Sequence, residues 1–479
     1  MLVKDIINGL EIINENHDIE GVEIDDIVYN SKYARKGTVF VALRGALSDG
    51  HKYIRDAYDK GVRVFIVEDY SMANAYGDAA FIKVLDTRKA LAIISKNFFN
   101  KPDEDIKMIA ITGTKGKTTT ANIIYEALKK MGARPGIIGT NGVFYAGKEE
   151  AVDNTTPESY EVYRILNNMR EAKITHCVLE ASSIGLKMKR LYGINFDIGV
   201  FTNISHDHIG GIEHPDFDDY FRSKMLLKNV SKKFIYNKDD EKLKEAISNA
   251  LSFSIDEASD YKTENIIVSD DIFKIQSDFD INGKSFEVKS ISYYDIYNYL
   301  AAISVMKELG YGWDEIISAV KNISIRGRFE EINVHDRLYI IDYAHNYISL
   351  KSILETVNKF KKNRVITVFG SVGGRSEKRR EELAEVSDAL ADISIVTSDN
   401  PNFEEPMKIC NEIASFIKGV HYTEPDRAKA IDLSYEISEI GDIIVVAGKG
   451  HETYQLIKGE KVHYSDKECI LKIKEAHDA

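Results

Sequence analysis

Between residues 107 and 131 an apolar run, a glycine-bracketed turn and an amphipathic helix follow one another without a spacer. The run 108–111 has the length and character of a buried strand. The turn is Gly113-Thr114-Lys115-Gly116, and Ala121, Ile124, Tyr125 and Leu128 then recur at i, i+3, i+4 and i+7. Glycines at such a join let backbone N–H groups close around phosphate oxygens, and the helix N-terminus adds a partial positive charge. Lys117 is placed to reach β- and γ-phosphates, and the Thr118 hydroxyl to ligate Mg²⁺. The pattern is a shortened phosphate loop, because Ile111 stands where the full form has its first glycine. The segment predicts ATP as a ligand, with Gly113, Thr114, Lys115, Gly116, Lys117, Thr118 and Thr119 around its phosphates.

A chain of 479 residues is too long for one ordinary core, and about three domains are expected. Short apolar strands alternate with helical segments: 38–43, 62–68, 108–111, 176–180, 198–203, 338–341, 364–369, 393–397 and 443–447 read as strands, and 86–99 as a helix. Such alternation implies parallel sheets covered on both faces. The expected class is α/β in three domains: a small N-terminal α/β domain (1–102), a central phosphate-loop ATPase-like domain built on a parallel sheet (103–328) and a Rossmann-like C-terminal domain (329–479). The formal net charge of −13 argues against a nucleic-acid partner held by electrostatics. No stretch approaches the roughly 18 apolar residues of a membrane span, and the charged start lacks the apolar core of a signal peptide. A cytoplasmic protein with no membrane partner, acting as a monomer, is expected. Cys177, Cys410 and Cys469 are widely spaced, offer no zinc pattern and read as packing residues.

Ligands of parallel sheets bind at the carboxyl ends of the strands, and polar residues concentrate there. Glu180-Ala181-Ser182-Ser183 follows one strand, and Asn203 through His208 follows another. Glu180 and His208, beside a phosphate loop, are candidate Mg²⁺ ligands, with phosphate oxygens completing the shell. After the strand at 443–447 comes Gly448-Lys449-Gly450-His451-Glu452, where glycines allow a close approach to the backbone. Glu452 is an anion suited to a substrate ammonium.

These motifs, in this order and over nearly the whole chain, resemble the Mur ligase family, in particular its branch that adds the third amino acid to a UDP-muramoyl dipeptide. Asn30-Ser31-Lys32, Asp49-Gly50-His51 and Asp86-Thr87-Arg88-Lys89 are similar to its uridine-binding domain. Asn154-Thr155-Thr156-Pro157 is similar to its muramoyl-contacting segment. Gly327-Arg328-Phe329-Glu330, Asp342-Tyr343-Ala344-His345 and Asp399-Asn400-Pro401 also match. The resemblance implies ATP and Mg²⁺ as cofactors, a UDP-muramoyl dipeptide and an amino acid as substrates, and an acyl phosphate on the way to an amide. It implies catalytic roles for Lys117, Glu180, His208 and Lys224, the last a lysine carbamylated by CO₂. The metal set is Thr118, Glu180, His208 and Lys224, and Asn298, Arg328 and Asp342 are further ATP contacts. Substrate contacts fall on Ser31, Asn154, Thr155, Thr156, Ser182, Arg190, Arg375, Asp399, Asn400, Pro401, Asn402, Gly448 and Glu452. Enzymes of this branch that add meso-diaminopimelate carry arginine after Asp-Asn-Pro, whereas this chain has Asn402. A hydrogen bond to a charged group contributes about 1.5–3 kcal/mol, so the missing charge predicts L-lysine as the added amino acid. The alternatives are meso-diaminopimelate, another acid–amine pair, and, from a different class, a phosphate-loop ATPase acting as a switch or binding module.

Overall fold

The computed structural model describes the chain apart from residues 17–18, 20, 46–47, 206–212, 270–274, 291–292, 375–376 and 478–479. It divides into two compact units, Met1–Thr263 with Tyr297–Ala319, and Glu264–Ile296 with Val320–Ala479.

In the first unit the β-branched runs form two sheets. Asp26–Val28, Thr38–Val41, Val64–Val67 and Ala80–Val84 pair in parallel in that order, and Ile12–Glu15 closes the edge antiparallel. The helix Thr87–Phe98 starts where the Asp86 carboxylate accepts from the Lys89 amide at 2.9 Å, as an N-cap should. It buries Ala90, Leu91 and Ile94 against Val39, Val41, Val64, Ile66 and Ile82.

In the second sheet Lys107–Thr112 lies in the middle, with His176–Glu180 on one side and Phe196–Phe201 on the other, all parallel. Pro135–Gly139 continues beyond the first neighbour, and Ser231–Asn237 and Leu251–Ser254 beyond the second. The chain leaves the central strand in one direction and later returns to its other side, so the strand order reverses there. That is the switch point at which open α/β sheets bind ligands. Met108, Ala110, Cys177, Leu179, Val162, Leu166 and Tyr163 fill one face. Cys177 is fully buried, which pushes its thiol up to about 12 and leaves it a packing residue, as its spacing suggested.

The second unit holds a six-stranded sheet in the order Glu330–Val334, Arg337–Asp342, Ile443–Ala447, Val365–Phe369, Ile393–Val396, His421–Thr423, parallel but for the first strand. The pleat sorts its side chains. Leu338, Ile340, Ile443 and Val445 pack into one apolar cluster, and Tyr339, Ile341, Ile444 and Val446 into another on the opposite face. Every strand expected from the sequence lies in one of these sheets. Among the described residues no helix is long and apolar enough to cross a membrane.

Candidate active site

The phosphate loop is a turn that only glycine serves at its two ends. Gly113 has φ +150° and Gly116 φ +81°. A Cβ on Gly113 would stand 2.0 Å from Thr202 Oγ1, and one on Gly116 2.2 Å from Asn298 Oδ1. Both neighbours hold the turn in shape. Thr202 Oγ1 donates to the Lys115 carbonyl at 2.6 Å, and Asn203 Oδ1 accepts from the Lys115 amide at 2.9 Å. Thr120 Oγ1 donates to Asn298 Oδ1 at 3.2 Å, so Asn298 belongs to this cradle. Thr119 is half-buried on the first turn of the helix Lys117–Lys130. Lys117 Nζ folds back over the loop onto the carbonyls of Gly113 at 2.9 Å and Thr114 at 3.2 Å.

Glu180 closes the strand beside the loop. It is 1% exposed, and its carboxylate accepts from Thr118 Oγ1 at 2.8 Å, the Thr140 amide at 3.0 Å and Thr140 Oγ1 at 3.2 Å. Gly139 leaves it room, since a Cβ there would lie 2.2 Å from Glu180 Oε1. Thr140 carries no sequence signal; register alone places it here. The Thr118 hydroxyl and the Glu180 carboxylate suit Mg²⁺, which takes one or two protein oxygens and fills its octahedron from phosphates and water. Among the described residues no group of three or more His, Cys, Asp or Glu side chains forms a metal cluster. His208 lies outside the described residues. Lys224 is buried, its Nζ on the Gly113 carbonyl at 2.8 Å and 4.7 Å from the Tyr220 ring.

The other face of Glu180 meets the segment matched to the muramoyl contacts. Thr156 Oγ1 lies 2.8 Å from the Glu180 carbonyl and 3.0 Å from Ser182 Oγ, which caps its short helix by accepting from the Gly185 amide. Thr155 Oγ1 is 3.0 Å from Thr140 Oγ1. Arg190 donates from Nη1 to the Thr156 carbonyl at 2.9 Å. Asn154 is exposed beside them. Ser31 lies at the carboxyl end of Asp26–Val28, its carbonyl accepting from Lys60 Nζ at 2.8 Å.

In the second unit the expected residues gather at the carboxyl ends of the parallel strands. Asp342 accepts from the Phe329 amide at 2.8 Å, and burial pushes its carboxyl upward. Arg328 stacks 5.0 Å from the Tyr343 ring. Lys449, quoted in the motif but given no role, is fully buried. Its Nζ reaches Glu452 Oε2 at 2.7 Å, Asn400 Oδ1 at 3.0 Å and Asp399 Oδ1 at 3.6 Å. Glu452 therefore arrives already paired, with Oε1 unengaged among the described residues. Gly448 has φ +112°, and a Cβ there would stand 3.2 Å from Asp399 Oδ2. The Pro401 carbonyl packs on Gly373, where a Cβ would be 2.0 Å away. Arg375 lies outside the described residues.

Asn402 is held in a turn. Its φ is +53°. Its amide donates to the Leu456 carbonyl at 2.8 Å, its carbonyl accepts from the Lys458 amide at 2.7 Å, and Oδ1 accepts from the Gly459 amide at 2.9 Å. The residue pins the turn of the hairpin Tyr454–Ile457 and Glu460–His463. Glu404 and Glu405, close by in the sequence and able in principle to attract a lysine ammonium, are likewise engaged. Glu404 pairs with Arg380 at 2.7 Å, and Glu405 caps the helix Pro406–Ala414.

The chain matches the Mur ligase family catalytic domain over residues 23–99, the Mur ligase middle domain over 111–306 and the Mur ligase glutamate ligase domain over 327–450. It is 38% identical to the UDP-N-acetylmuramoyl-L-alanyl-D-glutamate–2,6-diaminopimelate ligase of Clostridium perfringens, over 99% of this chain and all of that one. The enzyme of that name from Clostridioides difficile is 34% identical, over 99% of this chain and all of the relative. A solved structure of a ligase of that name superposes with a TM-score of 0.69 at 26% identity, covering 99% of this chain and 98% of the other. These relatives are named for diaminopimelate, which overturns the expectation of L-lysine. The physical error was to read the choice of amino acid from the missing charge alone, at a residue whose Oδ1 holds a hairpin turn. With the phosphate loop and Glu180 in one sheet and a match over almost its full length, the chain belongs to the Mur ligase family, as an ATP-dependent peptide ligase of its tripeptide-synthetase branch.

Proposed function

We propose that this chain joins diaminopimelate to UDP-N-acetylmuramoyl-L-alanyl-D-glutamate in peptidoglycan precursor synthesis. One observation carries the reading. Glu180 meets the phosphate-loop Thr118 through its carboxylate, and the muramoyl-segment Thr156 through its carbonyl. These contacts support a triphosphate on one side of that residue and a sugar-nucleotide acid on the other.

The substrate carboxylate attacks the γ-phosphate of ATP, giving an acyl phosphate and ADP, and the incoming amine then displaces phosphate. Both first-step partners are anions, and two unit charges about 4 Å apart repel by roughly 4 kcal/mol at an effective dielectric of 20. Lys117 offsets that charge from the loop. Thr118 and Glu180, with His208 as the resemblance implies, would hold Mg²⁺, which would supply further charge neutralisation at the phosphates. Lys224 is the candidate for carbamylation, which turns a buried ammonium into a carboxylate beside the same loop. In the reading's three-domain form, 1–102 holds the uridine end through Ser31, 103–328 holds ATP, and 329–479 holds the amino acid through Asp399, Asn400 and Glu452.

The test is phosphate release from ATP, Mg²⁺ and the UDP-muramoyl dipeptide with either amino acid. Release that depends on meso-diaminopimelate and is at least tenfold slower with L-lysine is expected. Release that needs neither amino acid removes the ligase assignment to these substrates.

A further inference from the structure

Two arginines converge on one carboxylate in the first unit. Arg88 Nη1 lies 3.2 Å and 3.3 Å from the two Glu158 oxygens, and its Nε donates to the Arg44 carbonyl at 3.2 Å. Arg190 Nε donates to Glu158 Oε1 at 2.7 Å, and its Nη1 to the Thr156 carbonyl at 2.9 Å. The three side chains are only 13–17% exposed. Arg88 sits on the helix Thr87–Phe98 at the carboxyl edge of the first sheet, and Glu158 directly follows the Thr155-Thr156-Pro157 segment.

In direct contact, two guanidinium groups share one carboxylate. Glu161, the next carboxylate on the same helix, accepts from the Tyr29 hydroxyl at 2.8 Å, and the adjoining Lys189–Asp86 pair is neutral by itself. A plain tie between two sheets needs one arginine for one carboxylate. A second largely buried guanidinium carries a desolvation cost that its two partners, Glu158 and one backbone carbonyl, offset only in part. Neither Arg88 Nη2 nor Arg190 Nη2 has an acceptor among the described residues. Two leftover N–H-bearing groups on guanidiniums that share one carboxylate are what an oxyanion requires.

We infer that Arg88 is a substrate-binding residue of this enzyme. With Arg190 it forms a two-arginine oxyanion site, and Glu158 is the positioning residue that aligns the two guanidinium groups. The inference rests on the proposed sugar-nucleotide substrate. The ligand is an oxyanion of that molecule, either the free carboxylate of its dipeptide or its diphosphate. Thr156 links the site to Glu180 and so to the phosphate loop, which places the anion along the substrate on the way to the reacting carboxylate.

The test is calorimetric titration of the full chain with three ligands: UDP-muramoyl-L-alanyl-D-glutamate, UDP-N-acetylglucosamine, which has the diphosphate but no carboxylate, and ATP. In Arg88→Met the Kd for the dipeptide rises at least tenfold, while that for ATP moves less than twofold. Arg88→Lys recovers part of the loss. Glu158→Gln gives a smaller rise for the same ligand. Weaker binding of UDP-N-acetylglucosamine in Arg88→Met identifies the diphosphate, and unchanged binding identifies the carboxylate. A dipeptide Kd within twofold of wild type overturns the inference, as does equal weakening for ATP, which marks a purely structural role. A wild-type chain that binds ATP but not the dipeptide overturns the substrate reading and this inference with it.

Discussion

The phosphate-loop site of the first unit and the strand-end cluster of the second are built on different electrostatic plans. Glu180 is buried among neutral donors, the hydroxyls of Thr118 and Thr140 and one amide, and the nearby lysines Lys117 and Lys224 rest on the Gly113 carbonyl. Neutral dipoles hold the Glu180 carboxylate in position. In the second unit charge meets charge. Lys449 binds Glu452 and Asp399, Arg380 binds Glu404 and Glu412, and the fully buried Arg427 binds Asp466 at 2.8 Å. The first plan suits a site that must receive a cation and a polyanion together. The second suits a rigid frame that offers a few unengaged atoms, such as Glu452 Oε1.

The contrast is broken most directly at Lys117. If that charge is reserved for ATP, Lys117→Ala lowers turnover by on the order of 10³-fold or more, since electrostatic stabilisation at transferring phosphoryl groups is a large catalytic term. The melting temperature should move by no more than a few degrees, because the side chain's hydrogen bonds are to loop carbonyls. Phosphate release and calorimetry on one preparation separate the two effects, and near-normal turnover would remove the ATP assignment.

In the second unit the opposite pattern is expected. Arg427 and Asp466 are 0% exposed and joined by two hydrogen bonds, at 2.8 and 2.9 Å. Breaking such a pair from one side leaves a buried charge and costs about 3–5 kcal/mol. Arg427→Met should destabilise the transition of this unit by that amount in denaturant melts. Arg427→Met with Asp466→Leu should recover much of the loss. If the double variant is no better than the single one, the pair does more than frame the site.

The same contrast explains what the sequence disclosed. The phosphate loop was legible because its chemistry is local: glycine spacing, a lysine and a threonine within seven residues define the ligand. The strands were legible because the parallel ones are buried on both faces and read as unbroken apolar runs, as at Ile443–Ala447. Glu180 was legible as the polar end of such a run. Thr140 was not, because it reaches Glu180 through strand order, which sequence does not print. Nor was the use of Arg88 and Glu158, two charges 70 residues apart that meet only in the fold. The lysine expectation built on Asn402 failed for a related reason. An asparagine after a proline gives no sign of a left-handed turn position, which the backbone angle of +53° shows.

Asn402 also supplies a smaller test. Asn402→Ala removes the acceptor for the Gly459 amide, about 1 kcal/mol, and puts alanine at a positive φ, roughly another 1 kcal/mol. Faster hydrogen exchange at Gly459 is expected, with no new preference between diaminopimelate and lysine. A shift of preference toward lysine would restore Asn402 as a specificity residue.

The smallest effect expected is one of pH, and it tests whether the second unit's frame is tuned for charge throughout. His451 lies beside the Tyr343 ring, and its proton affinity is lowered to about 4, first by burial and then by Arg328, Arg326 and Lys449. Its Nδ1 has no partner among the described residues. Above the ordinary histidine value near 6.5 neither the folded nor the unfolded imidazole is charged, and the group adds no pH dependence. Between 6.5 and 4 the unfolded chain binds the proton and the folded one does not, so stability rises with pH across that window and falls on acidification. Between pH 6.5 and 5.5 the loss is on the order of 1 kcal/mol, from 1.36 kcal/mol per unit. His451→Asn keeps a polar atom at that place and cannot titrate. Denaturant melts of the wild type and variant at pH 7.5, 6.5 and 5.5 should converge at the top of the range and separate at the bottom, with the variant less acid-sensitive. Parallel curves would mean that the imidazole takes up its proton in the folded protein as readily as in the unfolded one, which the three surrounding cations should prevent.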